Sequence, residues 1–279
     1  MEIRKIKKLF PSRHTMEGAG VHLKRAFANR EIPMFDPFLL LDAFGSDNPS
    51  DYMKGFPWHP HRGIETITYM LEGSVEHGDS MGNKGVISTG DIQWMTAGSG
   101  IIHQEMPLAS SNGRMYGFQV WANLPARDKM MRPRYQDIKS SQIKEVLFDN
   151  GVKAKVICGT MEGTTGPVTD IMSEPEYFDI YMPAGKTFSH KTTKGHTAFI
   201  YLYNGNCLTD NTVIDKDTAV LFDDGDTITI TTQNEDAKFI LLSGKPLNEP
   251  IAWGGPIVMN TDEELQQAFE ELDEGTFIK

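Results

Sequence analysis

Short runs of alternating apolar and polar residues fill most of the chain, with Gly and Pro between them. TITYML, GVIS, DIQWMTA, GFQVWANL, KAKVIC, YFDIYM, TAFIYLY, AVLFDD, DTITITT and KFILLSG are examples. A period near two, rich in β-branched and aromatic residues, predicts strands. Short strands at this even spacing predict a sandwich or barrel rather than βαβ units. One segment keeps a helical period. In NTDEELQQAFEEL, Thr261 and Glu264 form a capping box, and acids crowd the first turn. Leu265, Phe269 and Leu272 follow at spacings of four and three. They predict a helix at about 261–273 that lays one apolar stripe on the body.

The pattern also repeats. GIETITYMLEG (63–73) aligns with GHTAFIYLYNG (195–205), so that Gly63, Tyr69 and Gly73 match Gly195, Tyr201 and Gly205 at an offset of 132. Gly90-Asp91 aligns with Gly225-Asp226 at an offset of 135. A fixed offset is a repeat signature. It predicts two related β-domains, joined near PARDKMMRPRYQDI (125–138), where charge and proline interrupt the strands.

Composition narrows the class. The 279 residues carry 27 Lys+Arg against 38 Asp+Glu, a net charge of −11. Such a surface disfavours direct nucleic-acid binding and acidic membranes. No apolar run reaches the ~20 residues of a membrane helix. The basic residues Arg4, Lys5, Lys7, Lys8 and Arg13 precede no apolar core, so no secretory signal is expected. Cys158 and Cys207 lie far apart without CxxC spacing and are expected to pack as small hydrophobes in a reducing cytoplasm, with the nucleus an alternative location. No Walker, GxGxxG or GxSxG motif is present.

Two short motifs carry candidate chemistry. In WHPHRGIE, His59 and His61 stand two apart before a strand; in TAGSGIIHQEMP, His103 and Glu105 do the same beside Gly98 and Gly100. Residues i and i+2 of a strand share a face. Three imidazoles and one carboxylate would form a mixed N/O site with open positions, suited to Fe, Mn, Co, Ni, Cu or Zn rather than Ca or Mg. Phe56, Trp58, Trp94 and Met95 lie near these motifs as candidate walls of an aromatic pocket. At the repeat offsets, His59 and His61 fall on Lys191 and Thr193, while His103 and Glu105 fall on Lys238 and Ile240. His190 and His196 stand at other registers. One metal is therefore expected, in the first domain only.

HPHRGIETITYMLEG, GDIQWMTAGSGIIHQEMP, NLPARDKMMRPRYQD and PLNEPIAWGGPIVMNTDEELQQAF together resemble the pirin family of the cupin superfamily, over nearly the full length. The resemblance implies an all-β fold of two tandem cupin (jelly-roll-like) β-barrel domains with a C-terminal α-helix. Residues 1–135 would form the metal-binding cupin, and 136–279 a cupin without ligands that ends in the helix. It implies His59, His61, His103 and Glu105 as ligands of one Fe(II)/Fe(III) ion. The general cupin pattern would also offer Glu65. That residue lies about 13 Å past His61 along an unbroken strand. It is expected instead to accept a hydrogen bond near the site or to pair with Arg62, unless a bulge at Gly63 brings it in.

In some members the resemblance implies quercetin 2,3-dioxygenase activity, with a flavonol and O2 as partners and Glu105 as catalytic base. In others it implies a redox-sensing regulator that binds a transcription factor or metabolic enzyme through its iron state. The expected state is a monomer. A cupin isomerase or decarboxylase of a small acid would need a basic pocket, for which Arg62 and Arg114 are the nearby cations.

Overall fold

The strand Ile64–Glu72, buried along most of its length, is an interior strand of a seven-stranded sheet. Its neighbours in order are Arg134–Ile138, Ile92–Thr96, Ile64–Glu72, Met115–Asn123, Phe38–Ser46, Val21–Phe27 and Arg13–Glu17. A four-stranded sheet of Phe56–His61, Ile101–Leu108, Ser74–Asp79 and Lys84–Ser88 faces it. Side chains cross between the two inner faces: Glu105 accepts hydrogen bonds from Thr68 and Gln119. The computed structural model describes residues 2–110 and 112–279.

A second unit repeats this plan. Its seven-stranded sheet runs Ile6–Pro11, Thr218–Phe222, Thr197–Asn204, Ala237–Gly244, Glu176–Met182, Lys153–Cys158 and Lys144–Leu147. Its four-stranded sheet runs Thr187–Lys191, Thr227–Thr231, Cys207–Thr209 and Thr212–Ile214. The fold is that of two cupin domains, all-β apart from one C-terminal helix and short 3-10 turns. Phe178, Phe188, Ile200, Val220, Ile230 and Phe239 pack into a hydrophobic core inside the second unit. Cys158 and Cys207 are free and buried.

The chain ends depart from a single cut at 135/136. Residues up to Arg13, together with Glu31–Pro37, belong to the unit built from Ser141–Pro246. Leu247–Lys279 belongs to the unit built from Phe38–Ser140. Within the charged, proline-bearing stretch 125–138, Arg134–Ile138 is an edge strand paired with Ile92–Thr96. The helix Asp262–Asp273 has the expected capping box, with the Thr261 hydroxyl accepting from the Glu264 N–H. Its buried face centres on Ala268, which joins Ile257, Met259, Phe277 and the partly buried Leu265, Leu272 and Ile102. Phe269 stays 40% exposed. This apolar cluster includes Ile102, from the strand that carries His103, and so fixes the tail in the first cupin.

The repeat holds in the central strands. Tyr69 and Tyr201 are both fully buried, and Gly63, Gly195, Gly73 and Gly205 all take positive φ. The Gly-Asp match does not hold. Gly90 precedes its strand and donates to Met70 O; at the matching place Asp217 donates to Leu202 O. Gly225-Asp226 instead follows the strand Thr218–Phe222. Loops of unequal length separate the matched strands in the two units, so the offset of 135 does not mark a shared register.

Candidate metal centre

A sharp bend after HPH creates the site. Phe56–His61 ends two residues before Gly63, whose φ of +76° turns the chain into Ile64–Glu72. A Cβ at Gly63 would overlap the Val258 carbonyl oxygen, so only glycine fits this approach. Lys129 secures the bend from below, donating to Gly63 O at 2.9 Å, Asn123 Oδ1 at 2.7 Å and Val258 O at 2.9 Å. Burial pushes the Lys129 ammonium down to about 7, against the opposing pull of Glu249 and Glu264.

Antiparallel register then brings the motifs together. His103 lies directly opposite His59, and Ile101 opposite His61. The candidate ligand atoms of His59, His61 and His103 all lie within 4.8 Å of one another. His59 Nδ1–H donates to Pro57 O at 2.8 Å, and His61 Nδ1–H donates to Pro256 O at 3.1 Å. Both rings are thereby left with an Nε2 lone pair, and the two Nε2 atoms stand 3.1 Å apart. Two lone pairs at that separation require a positive charge between or beside them. On His61 a proton is disfavoured: burial, and then His59, pushes it down to about 3 despite the Pro256 carbonyl. Burial also holds His103 well below the usual histidine range, as do its neighbours His61, His59 and His77. Neither nitrogen of His103 has a hydrogen-bond partner among the described residues. Two Nε2 atoms set by Nδ1–H bonds to backbone carbonyls, beside a buried ring with neither nitrogen bonded, fit a transition-metal ion.

Glu105 lies two residues on and outside that close group. Its Oε1 accepts from Thr68 Oγ1 at 2.9 Å and its Oε2 from Gln119 Nε2 at 3.1 Å. Trp121 Nε1 in turn donates to Gln119 Oε1 at 3.3 Å. Glu65 is not beside His61 on one strand. It lies beyond the Gly63 bend, fully buried, and accepts from Thr96 Oγ1 at 2.7 Å; burial raises its carboxyl. Arg62 does not pair with it. Its guanidinium donates to Ser99 O and Phe277 O, sits over the Phe277 ring and bridges Glu271 at 2.7 Å. Arg114 pairs at the surface with Asp47 and Glu72.

A cavity of about 640 Å³ opens beside His59, His61 and Glu105. Phe56 and Trp58 line it, Trp58 as a 53% exposed rim residue. Trp94 and Met95 do not: both are buried and outside the lining. Trp94 pairs with Ile67, on the sheet face opposite Thr68, because neighbours along a strand point to opposite sides. Sequence reasoning missed Trp121 and Trp253. Their rings lie 5.8 Å apart in the wall, and Trp121 meets the His61 ring edge-on at 5.1 Å. The alternation of GFQVWANL offered a signal for Trp121; for Trp253 there was none.

The second unit shows what removes a site. The buried positions of Thr187–Lys191 are Phe188 and His190, which face Ile230 and Ile228. By register these stand where His59, His61, His103 and Ile101 stand in the first. The offset that pointed to Lys191 and Thr193 fails because five residues, not two, connect this strand to the next; the offset that pointed to Lys238 and Ile240 fails with the Gly-Asp match on which it rests. Only His190 survives, and it meets Glu176 Oε1 at 3.3 Å.

Known proteins match along both halves. The family profile described as Pirin matches residues 20–122, and that described as the Pirin C-terminal cupin domain matches 177–278. A pirin-like protein of Caulobacter vibrioides is 45% identical, covering 99% of this chain and 100% of its own. Human pirin is 40% identical over 92% of this chain and 88% of its own. The crystal structure of a quercetin 2,3-dioxygenase from Acinetobacter baumannii matches with a TM-score of 0.91 at 32% identity, covering 99% of this chain and 98% of that one.

Proposed function

The chain belongs to the pirin family, and from that premise we propose that it is an iron-dependent dioxygenase that opens flavonols such as quercetin. In this reading His59, His61, His103 and Glu105 hold one Fe ion, and Mn, Co, Ni, Cu or Zn could substitute. The observation that carries it is the pair of Nε2 lone pairs of His59 and His61, 3.1 Å apart with both Nδ1–H groups committed elsewhere. Similarity to the Acinetobacter dioxygenase supports the substrate class.

The ion, when bound, supplies Lewis acidity and one-electron chemistry to a reaction that consumes O2, opens the central ring and releases carbon monoxide. The protein does the rest. Glu105 accepts the proton of the flavonol 3-hydroxyl as general base. Thr68 and Gln119 each occupy one lone pair of its oxygens, fixing the carboxylate plane while leaving further lone pairs for that proton. Trp121 fixes the Gln119 amide. Trp121 and Trp253 offer flat faces to an aromatic substrate, and the cavity volume falls within the usual range for ligands of this size.

The test is anaerobic addition of quercetin to iron-loaded protein, followed by O2 and the loss of flavonol absorbance. Undiminished turnover in the His59→Ala/Glu105→Ala double variant would overturn this mechanism. Stoichiometric iron without turnover would favour the redox-regulator reading instead.

A further inference from the structure

One polar row crosses the inner face of the large sheet of the first cupin. Arg25 lies opposite Asp42, Asp42 opposite Gln119, and Gln119 opposite Thr68. Directly opposed residues share a face. All four line the cavity with Glu105. Arg25 stands two strands from Gln119, about 10 Å away by strand spacing. Leu23, Leu40, Phe44 and Met115 flank the row in the same wall, so its polar end is set in apolar surroundings.

The end of the row is built but not used by the chemistry at the histidines. Arg25 Nε and Nη2 donate to Asp42 Oδ1 and Oδ2 at 2.9 and 2.7 Å, and Nη1 meets Glu17 Oε1 at 2.8 Å. Asp42 is only 5% exposed. Three of the guanidinium's five N–H donors are engaged, so two remain. Asp42 and Glu17 keep acceptor lone pairs. One cation against two carboxylates leaves the cluster negative, which repels a substrate carboxylate or phosphate. Its free capacity is mixed, donor and acceptor side by side. A phenolic hydroxyl, which both donates and accepts, matches it.

We propose that Arg25, Asp42 and Glu17 form a hydroxyl-reading subsite that selects neutral polyphenols hydroxylated on the ring remote from the histidines. The inference rests on the flavonol reading of the cavity and names the part of the substrate that sets specificity.

The experiment is an anaerobic titration of the iron-loaded protein, read by tryptophan quenching. The probes are flavonols with no, one and two hydroxyls on the pendant ring. Affinity is expected to rise about tenfold per hydroxyl, the worth of a hydrogen bond to a charged group. The Arg25→Met/Asp42→Leu double variant should flatten the series. Both partners are replaced together because a single buried charge left unpaired destabilises the fold. Glu17→Gln, at a half-exposed position, is the milder variant and should weaken only the hydroxylated members. Equal affinity for all three flavonols in the unmodified protein overturns the proposal, as does an unchanged series in Glu17→Gln and in the folded double variant. If no flavonol binds at all, the flavonol reading fails and the subsite with it. If flavonols bind without regard to hydroxylation, the subsite alone fails.

Discussion

His59 and His61 confront each other through Nε2 atoms 3.1 Å apart, and each has its Nδ1–H tied to a backbone carbonyl. The arrangement is electrostatically incomplete by itself. The carbonyl that fixes His61 belongs to Pro256, 195 residues away in the chain. The tail of the protein is thus part of the ligand geometry, and the two histidines alone do not define the site.

The hydrogen bonds to Glu105 should matter for turnover and not for metal content. Thr68→Ala and Gln119→Leu each remove one donor from its carboxylate. Each is expected to cost about 1.4 kcal/mol of transition-state stabilisation, a tenfold fall in kcat. Steady-state quercetin oxidation alongside metal analysis of each variant checks this. A loss of metal in step with activity would place these donors in ligand support instead.

Gly63→Ala should be severe. A methyl there meets the Val258 carbonyl, and the φ of +76° is unfavourable for alanine. Backbone strain alone costs about 1–3 kcal/mol, and the tail must also move away. Urea melts should show a lowered midpoint, and limited proteolysis should cut within Leu247–Lys279.

Lys129 gives the fold a pH dependence of known sign. In the folded chain its ammonium titrates near 7, pushed down by burial, against 10.5 for an ordinary lysine. Between those values the unfolded chain holds a proton that the folded chain has released. Stability from this group therefore rises as pH rises from about 7 to 10.5, by at most about 1.4 kcal/mol per unit, and is flat below 7. Lys129→Met should abolish that slope. It also leaves Gly63 O, Asn123 Oδ1 and Val258 O without their donor, a loss of about 3 kcal/mol or more at pH 7. Denaturant titrations of both proteins at pH 7 and 9 measure both effects.

Much of this was written in local pattern. The strand runs, the capping box at Thr261 and Glu264 and the two i, i+2 pairs can be read directly, because period and motif are local properties. Long-range register is different. The Gly90-Asp91 match failed because loops of unequal length shift the second copy. Trp94 lies off the cavity although it is near the motifs in sequence, because proximity in sequence does not say which sheet face a residue takes. The place of the tail is not legible in sequence, since nothing local in PLNEPIAWGGPIVMN reveals that Ile257 and Met259 pack with Ile102. The row from Arg25 through Asp42 and Gln119 to Thr68 comes from four separate strands and exists only once they pair.

In the proposed mechanism His59, His61 and His103 share one transition-metal ion. Elemental analysis of iron-loaded protein after exhaustive desalting tests it most directly, with His61→Ala measured in parallel. One iron per chain in the unmodified protein, and a small fraction of that in the variant, is the expected result. Iron that washes out of both, or that binds both equally, would contradict it.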